Sequence, residues 1–204
     1  MGREPRDHTD TWFFFGDSVT LGVNDTEQPG GFVSRLVLLG AEKGLYQYPP
    51  ATFYNLGARR QKIAQIEARF EQEYTARLMP GIRSRLVFCA GTVDIMSGSA
   101  VPALEEDLAR LLGHAKTIAP TLFICPPPAL SEAHNQNLQA YALMAEDLCK
   151  SLNVPCVNIF DKLMANKLPE LITDAVHPGP RGNALIAGLL LEEPVIRSFL
   201  TMPD

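Results

Sequence analysis

The sequence predicts an α/β fold: a three-layer α/β/α sandwich built on a five-stranded parallel sheet. Three observations carry that expectation. Five short apolar runs lack the polar–apolar alternation of a half-exposed strand, so each reads as a strand buried on both faces. Stretches with helical spacing separate them, and a strand–helix alternation repeated five times implies parallel strands covered by helices on both sides. Small or chain-breaking residues close the runs, among them Gly16, Gly57, Gly91 and Pro126. Right-handed crossovers leave few topologies, and the strand order 2-1-3-4-5 puts its switch point between strands one and three.

The first strand is Trp12-Phe13-Phe14-Phe15, stopped by Gly16-Asp17-Ser18. A loop at 24–31 follows, then a helix over 32–39 with Phe32, Leu36 and Leu39 on one face. Strand two covers 51–55 and is closed by Leu56-Gly57. Ile63, Ile66, Phe70 and Tyr74 mark a helix over 63–78, which Pro80-Gly81 stops. Strand three covers 86–90 and ends at Gly91. A Leu- and Ala-rich helix over 101–118 has its acids early and Lys116 late, as the helix dipole favours. Strand four covers 121–125 and runs into Pro126-Pro127-Pro128. A helix over 135–152 leads to a short fifth strand over 155–159. The last helix starts at Pro180 or Arg181 and carries Ala184, Leu185, Ala187, Gly188 and Leu191; Pro194 ends or kinks it. Residues 1–10 read as a polar tail and 11–204 as one domain, a length that supports one full-sized core.

Composition narrows the partners. The chain is 46% hydrophobic and 20% charged, with net charge -5 and no Lys/Arg block, which speaks against nucleic acid and anionic membrane surfaces. No apolar run is long enough to span a bilayer. The N-terminal residues lack an apolar signal core, so a cytoplasmic location is expected. Cys89, Cys125, Cys149 and Cys156 have no Cys-x-x-Cys spacing and read as buried free thiols rather than a zinc site or disulfide framework.

Ser18, Gly57 and Gly91 each follow a strand end, so they gather on one rim, where open α/β sheets bind ligands. Ser18 is a candidate nucleophile; Asp17 and Ser18 equally suit a helix N-cap. Of the four histidines, His8 falls in the tail, His114 in a helix and His134 at a helix start. His177 stands in a loop, with Asp174 three residues before it and Pro178-Gly179 after it. One tight turn can bring the Asp174 carboxylate to the imidazole Nδ1, leaving Nε2 as a general base. A turn-forming Asp174 beside a solvated His177 is the plainer alternative.

Gly16-Asp17-Ser18 near one end, Asp174-x-x-His177-Pro178 near the other, and glycines after strands two and three together resemble the SGNH hydrolases, the GDSL esterase/lipase family. The resemblance spans nearly the whole chain. It implies the SGNH hydrolase fold and a serine ester hydrolase with Ser18 as nucleophile, His177 as base and Asp174 as its orienting acid. It also implies oxyanion contacts from the N–H groups of Ser18 and Gly57, no metal or organic cofactor, and a small-molecule or lipid ester as substrate. One position departs from the pattern. The family's Gly-x-Asn-Asp appears as Gly91-Thr92-Val93-Asp94, and Val93 has no side-chain donor. Losing one oxyanion donor costs on the order of 100- to 1000-fold in rate. The Thr92 hydroxyl, Asn24 or a water are the substitutes to consider.

Asp17, Thr92, Val93 and Asp94 are substrate-cleft candidates, with Asp17 and Asp94 also suited to holding their turns. Arg59 and Arg60 follow Gly57, where an anionic substrate group would meet them, though exposed helix-start residues look the same. Two other classes compete with the hydrolase. A non-catalytic ligand-binding relative would explain Val93. A nucleotide or flavin binder of the same sheet order would need a Gly-x-Gly-x-x-Gly or phosphate-loop motif after strand one, and neither occurs. The segments at 24–31 and 126–135 are the candidates for motion over the cleft.

Overall fold

The computed structural model describes residues 10–201; the expected tail, His8 included, lies outside them apart from Asp10. Five strands form one parallel sheet in the order β2-β1-β3-β4-β5: β1 (Thr11–Gly16), β2 (Thr52–Gly57), β3 (Ser84–Cys89), β4 (Thr121–Ile124) and β5 (Cys156–Val157). The expected sheet order and three-layer architecture hold. Strand β1 is central: Gly16 pairs with Gly57 on one side and Cys89 on the other, which brings three strand ends to one level.

The side chains of β1 alternate between the two cores. Phe13 and Phe15 face α3 (Ile63–Thr75), α5 (Val101–Ile118) and α6 (Glu132–Leu152), where Phe70, Leu108 and Leu138 pack. Trp12 and Phe14 face α2 (Gly31–Glu42), α8 (Pro180–Glu192) and α9 (Pro194–Leu200), against Phe32, Leu36, Ile186 and Leu190. Phe13, Phe14 and Phe15 are each at most 2% exposed, so truncating any one to alanine would cost about 3–5 kcal/mol. Their continuous apolar run is therefore the sequence of a strand with a core on either side. No helix among the described residues is long and apolar enough to cross a membrane.

The departures from the expected boundaries are local. β2 continues through Leu56 and Gly57, because both keep their pairing with Phe15 and Gly16. α3 stops at Thr75, and tighter bonds from Arg77 N–H to Tyr74 O and from Leu78 N–H to Thr75 O finish the turn. α6 begins three residues before the expected start, at Glu132, and β5 keeps only Cys156 and Val157. Two short helices were not expected: α1 (Ser18–Leu21) and α4 (Thr92–Met96), directly after β1 and β3. The helix that starts at Pro180 ends at Glu192, just before Pro194 as expected; the backbone extends at Glu193 and α9, which was not expected, starts anew. A short α7 (Phe160–Ala165) and a 3-10 turn (Leu168–Leu171) lead into the loop before α8.

Candidate active site

Gly16 makes the turn out of β1 possible. A Cβ there would stand 2.0 Å from Thr20 Oγ1 and 2.4 Å from the Cys89 carbonyl oxygen, so no side chain fits. Asp17 then caps α1, its Oδ1 accepting from Val19 N–H at 2.8 Å. Ser18 is thus the first helical residue rather than the cap, and its N–H has no intrahelical acceptor. The cap is therefore Asp17, which leaves the Ser18 side chain free of that role.

The far end of the chain meets Ser18 there. His177 Nε2 lies 2.8 Å from Ser18 Oγ, and His177 Nδ1 lies 2.7 Å from Asp174 Oδ2. Asp174 Oδ1 accepts from the N–H groups of Val176 and His177, both at 2.9 Å. With a carboxylate at Nδ1, the neutral imidazole carries its proton there and turns the Nε2 lone pair to Ser18 Oγ–H. Partial burial acts to raise the Asp174 carboxyl, but the two amides and the imidazole outweigh it and hold the group well below the usual carboxylate range. The loop is fastened on every side: Thr173 N–H donates to His177 O at 3.0 Å, Gly179 N–H to Leu171 O at 2.9 Å, and Leu130 N–H to Ala175 O at 3.0 Å.

Next to Ser18 lies a desolvated acid. Asp17 is 1% exposed, and desolvation pushes its carboxyl up to about 6, against the opposing pull of the Val19 amide, the Thr92 side chain and His177. Thr92 stands beside it, yet Asp17 Oδ2 has no hydrogen-bond partner within ordinary distance. Asp94 is buried in α4, and burial raises its carboxyl too. Its Oδ2 accepts from Ile63 N–H at 3.1 Å, which ties the start of α3 to α4. Val93 projects no donor, and Arg59 and Arg60 are exposed.

The expected oxyanion pair is unequal. Gly57 packs its backbone on α1, where a Cβ would meet Leu21 N at 2.2 Å. Its N–H, however, donates to Asn55 Oδ1 at 3.0 Å, while Asn55 Nδ2 donates to Thr20 O and Gly30 O. Gly57 N–H can reach an oxyanion only by giving up that partner. Asn24 is committed as well: its amide donates to Thr173 Oγ1 at 2.8 Å and to Asp174 Oδ2 at 3.0 Å.

Three further residues frame the site. Arg69 Nη2 donates to Gly16 O at 3.2 Å and Leu56 O at 2.7 Å, clamping the ends of β1 and β2, and Gln61 and Glu73 hold its other nitrogens. Asn183, fully buried, accepts from Phe32 N–H and donates to Pro178 O and Gly179 O, joining α2 to the loop of His177. Arg35 holds Asp25 at 2.7 and 2.8 Å. Each is a single polar residue with no repeat around it, so no pattern in the sequence marked it. His114 pairs with Glu71 and His134 sits at the start of α6 with a buried, unpartnered Nδ1. The four cysteines are free thiols, and no group of metal-ligating side chains exists among the described residues.

Residues 14–185 match the model of the GDSL-like lipase/acylhydrolase family. The chain belongs to that family. Solved structures agree in fold with this GDSL-like chain. A member of the lipolytic protein G-D-S-L family from Veillonella parvula is 18% identical, with TM-score 0.73 over 90% of this chain and 97% of that one. Axe2, an acetylxylan esterase from Geobacillus stearothermophilus, is 17% identical, with TM-score 0.72 over 93% and 94%. Axe2 variants described as catalytic mutants replace a serine, an aspartate and a histidine by alanine, the aspartate three positions before the histidine. Among curated proteins, none matches the chain.

Proposed function

We propose that this GDSL-family protein is a serine ester hydrolase working through Ser18, His177 and Asp174. The observation that carries the reading is the unbroken chain of contacts from Ser18 Oγ to His177 Nε2 at 2.8 Å and from His177 Nδ1 to Asp174 at 2.7 Å. Ser18 Oγ attacks the ester carbonyl as its proton passes to His177 Nε2. Asp174, held ionised by two backbone amides, stabilises the imidazolium that forms. The Ser18 N–H faces the oxyanion, and His177 returns the proton to the departing alcohol. Water, activated by the same imidazole, then releases the acyl group. The same three residue types, with the same Asp-to-His spacing, are those replaced in the catalytic mutants of Axe2. Because Axe2 is named as an acetylxylan esterase, acetyl esters are the first substrates to try.

A second reading, a weak or inactive relative that binds an ester-like ligand, draws on two observations. Val93 supplies no donor, and Gly57 N–H is engaged by Asn55. Incubation with p-nitrophenyl acetate and longer acyl esters, beside Ser18→Ala, decides between them, together with a fluorophosphonate probe located by mass spectrometry. Turnover lost in Ser18→Ala and label on Ser18 support the hydrolase. Label elsewhere, or none, favours the binding protein.

A further inference from the structure

We infer that Asn24 is a positioning residue that locks Asp174 in the orientation His177 requires; the inference rests on the hydrolase reading above. Asp174 needs such a lock. Its side chain is 45% exposed, while that of His177 is 16% exposed. Both backbone amides bind Oδ1, which leaves Oδ2, the oxygen facing the imidazole, open to water on its other side. Asn24 Nδ2 occupies that side at 3.0 Å. Its second N–H goes to Thr173 Oγ1 at 2.8 Å, and Thr173 Oγ1 in turn donates to His177 O at 3.1 Å. Donors and acceptors therefore match along the whole path, and the Asn24 amide has one orientation that satisfies them.

The backbone presents this amide at a conformational cost. Asn24 has φ 70, in the left-handed region, which asparagine tolerates better than most residues. The next residue fixes the loop. Asp25, with a fully buried side chain, takes two bonds from Arg35 of α2 and one each from Glu27 N–H and Gln28 N–H. Arg35 also lies 3.6 Å from Glu27. The segment at 24–31, expected to be able to move over the cleft, is thus a braced arm that carries the α2 scaffold to the acid. The path runs Arg35, Asp25, Asn24, Asp174, His177, Ser18.

Asn24→Gly tests this without disturbing the fold, because glycine accepts φ 70 freely. Its thermal midpoint should fall by only a few degrees, because two largely exposed hydrogen bonds are lost while the backbone keeps its φ without strain. Its kcat for p-nitrophenyl acetate should fall roughly ten- to a hundredfold, the effect of a small misplacement of a reacting group, with KM little changed. The proton on His177 Nδ1, followed by NMR, should exchange with water roughly tenfold faster than in the parent. The NMR measurement stands even if the parent shows no Ser18-dependent turnover, which would overturn the hydrolase reading alone. A folded Asn24→Gly variant with parental kcat and parental exchange overturns the role of Asn24, and so does a rise in KM with kcat untouched.

Discussion

Replacing Asp17 with asparagine should stabilise the protein, and chiefly above pH 6. Burial raises the Asp17 carboxyl from 3.8 to about 6. Between those values the unfolded chain has lost this proton while the folded chain retains it, so folding stability falls as pH rises through the window, and the full loss persists above it. A shift of about two units corresponds to about 3 kcal/mol. Asparagine carries no charge at any pH and keeps the Oδ1 acceptor for Val19 N–H. Its amide would take the place of Oδ2, which has no partner now, with the Thr92 side chain beside it. An imperfectly satisfied amide returns part of the gain, at about 1–2 kcal/mol. The expected net is about 1–2 kcal/mol near pH 8, a rise in Tm of roughly 2–4 °C per kcal/mol for a chain this size, and little or no gain near pH 4. Calorimetric unfolding of both proteins across that range measures it. An equal gain at both ends, or destabilisation near pH 8, would refute the assignment of the cost to a buried charge. Ionised Asp17 and a positive charge developing on His177 attract one another, so on the hydrolase reading the stabilised variant should turn esters over more slowly.

Other outcomes follow from single contacts. Val93→Asn should raise kcat for p-nitrophenyl acetate roughly tenfold, part of the worth of one oxyanion donor; a well-folded variant with unchanged or lower turnover counts against the account of this position. Tyr141→Phe should stabilise by about 1 kcal/mol in urea unfolding, because the hydroxyl is buried with no partner, and a loss of stability would reveal a bond that the geometry does not contain. Gly16→Ala should cost about 3 kcal/mol or more, with Thr20 Oγ1 and Cys89 O inside contact distance of the new methyl; a neutral result in the same assay would mean the β1 turn can shift.

What the sequence made legible was whatever repeats or punctuates. α5 runs from Val101 to Ile118 as expected, because Leu104, Leu108, Leu111 and Ala115 recur with the helical period and all are buried. The β1 strand was readable because Phe13, Phe14 and Phe15 have no polar face. Helices α1 and α4 have four and five residues, too few to express a period; each exists through its first position, the cap by Asp17 and Gly91 at φ 116. At the site, Ser18, Asp174 and His177 stood out because their short motifs are local. Asn183 did not, and Asn24 did so only as an oxyanion donor and not as a partner of Asp174, because each acts on a partner about 150 positions away. Gly57 was read as a turn glycine with a free amide. The strand instead runs through it, and its neighbour Asn55 takes the amide, a side-chain decision that no backbone pattern records.

Among the described residues, two of the four unpartnered buried polar atoms lie near the strand ends beside Ser18, while Thr11 Oγ1 lies at the opposite end of β1 and His134 Nδ1 at the start of α6. Asp17, the acid with an unpartnered buried oxygen, immediately precedes Ser18. Tyr141, with its unpartnered hydroxyl, packs on Gly91 at the end of β3, where a Cβ would meet its ring at 2.4 Å. Asn24 and Arg60, two of the four non-glycine residues with positive φ among the described ones, lie in the loops leaving β1 and β2; the other two, Asn153 and Lys167, stand at helix ends, where such a φ is ordinary. A desolvated carboxyl next to Ser18 is an arrangement that a preorganised reaction centre would use, since groups there would be held for a transition state rather than for the resting fold. A cleft that only bound a ligand would gain stability from neutral Asp17 isosteres and lose nothing in chemistry. That is why the pH-dependent stability of Asp17→Asn, measured beside its ester turnover, separates the hydrolase from the binding protein: more stable and slower points to a reaction centre, more stable with unaltered ligand affinity and no turnover in either protein points to a binding cleft.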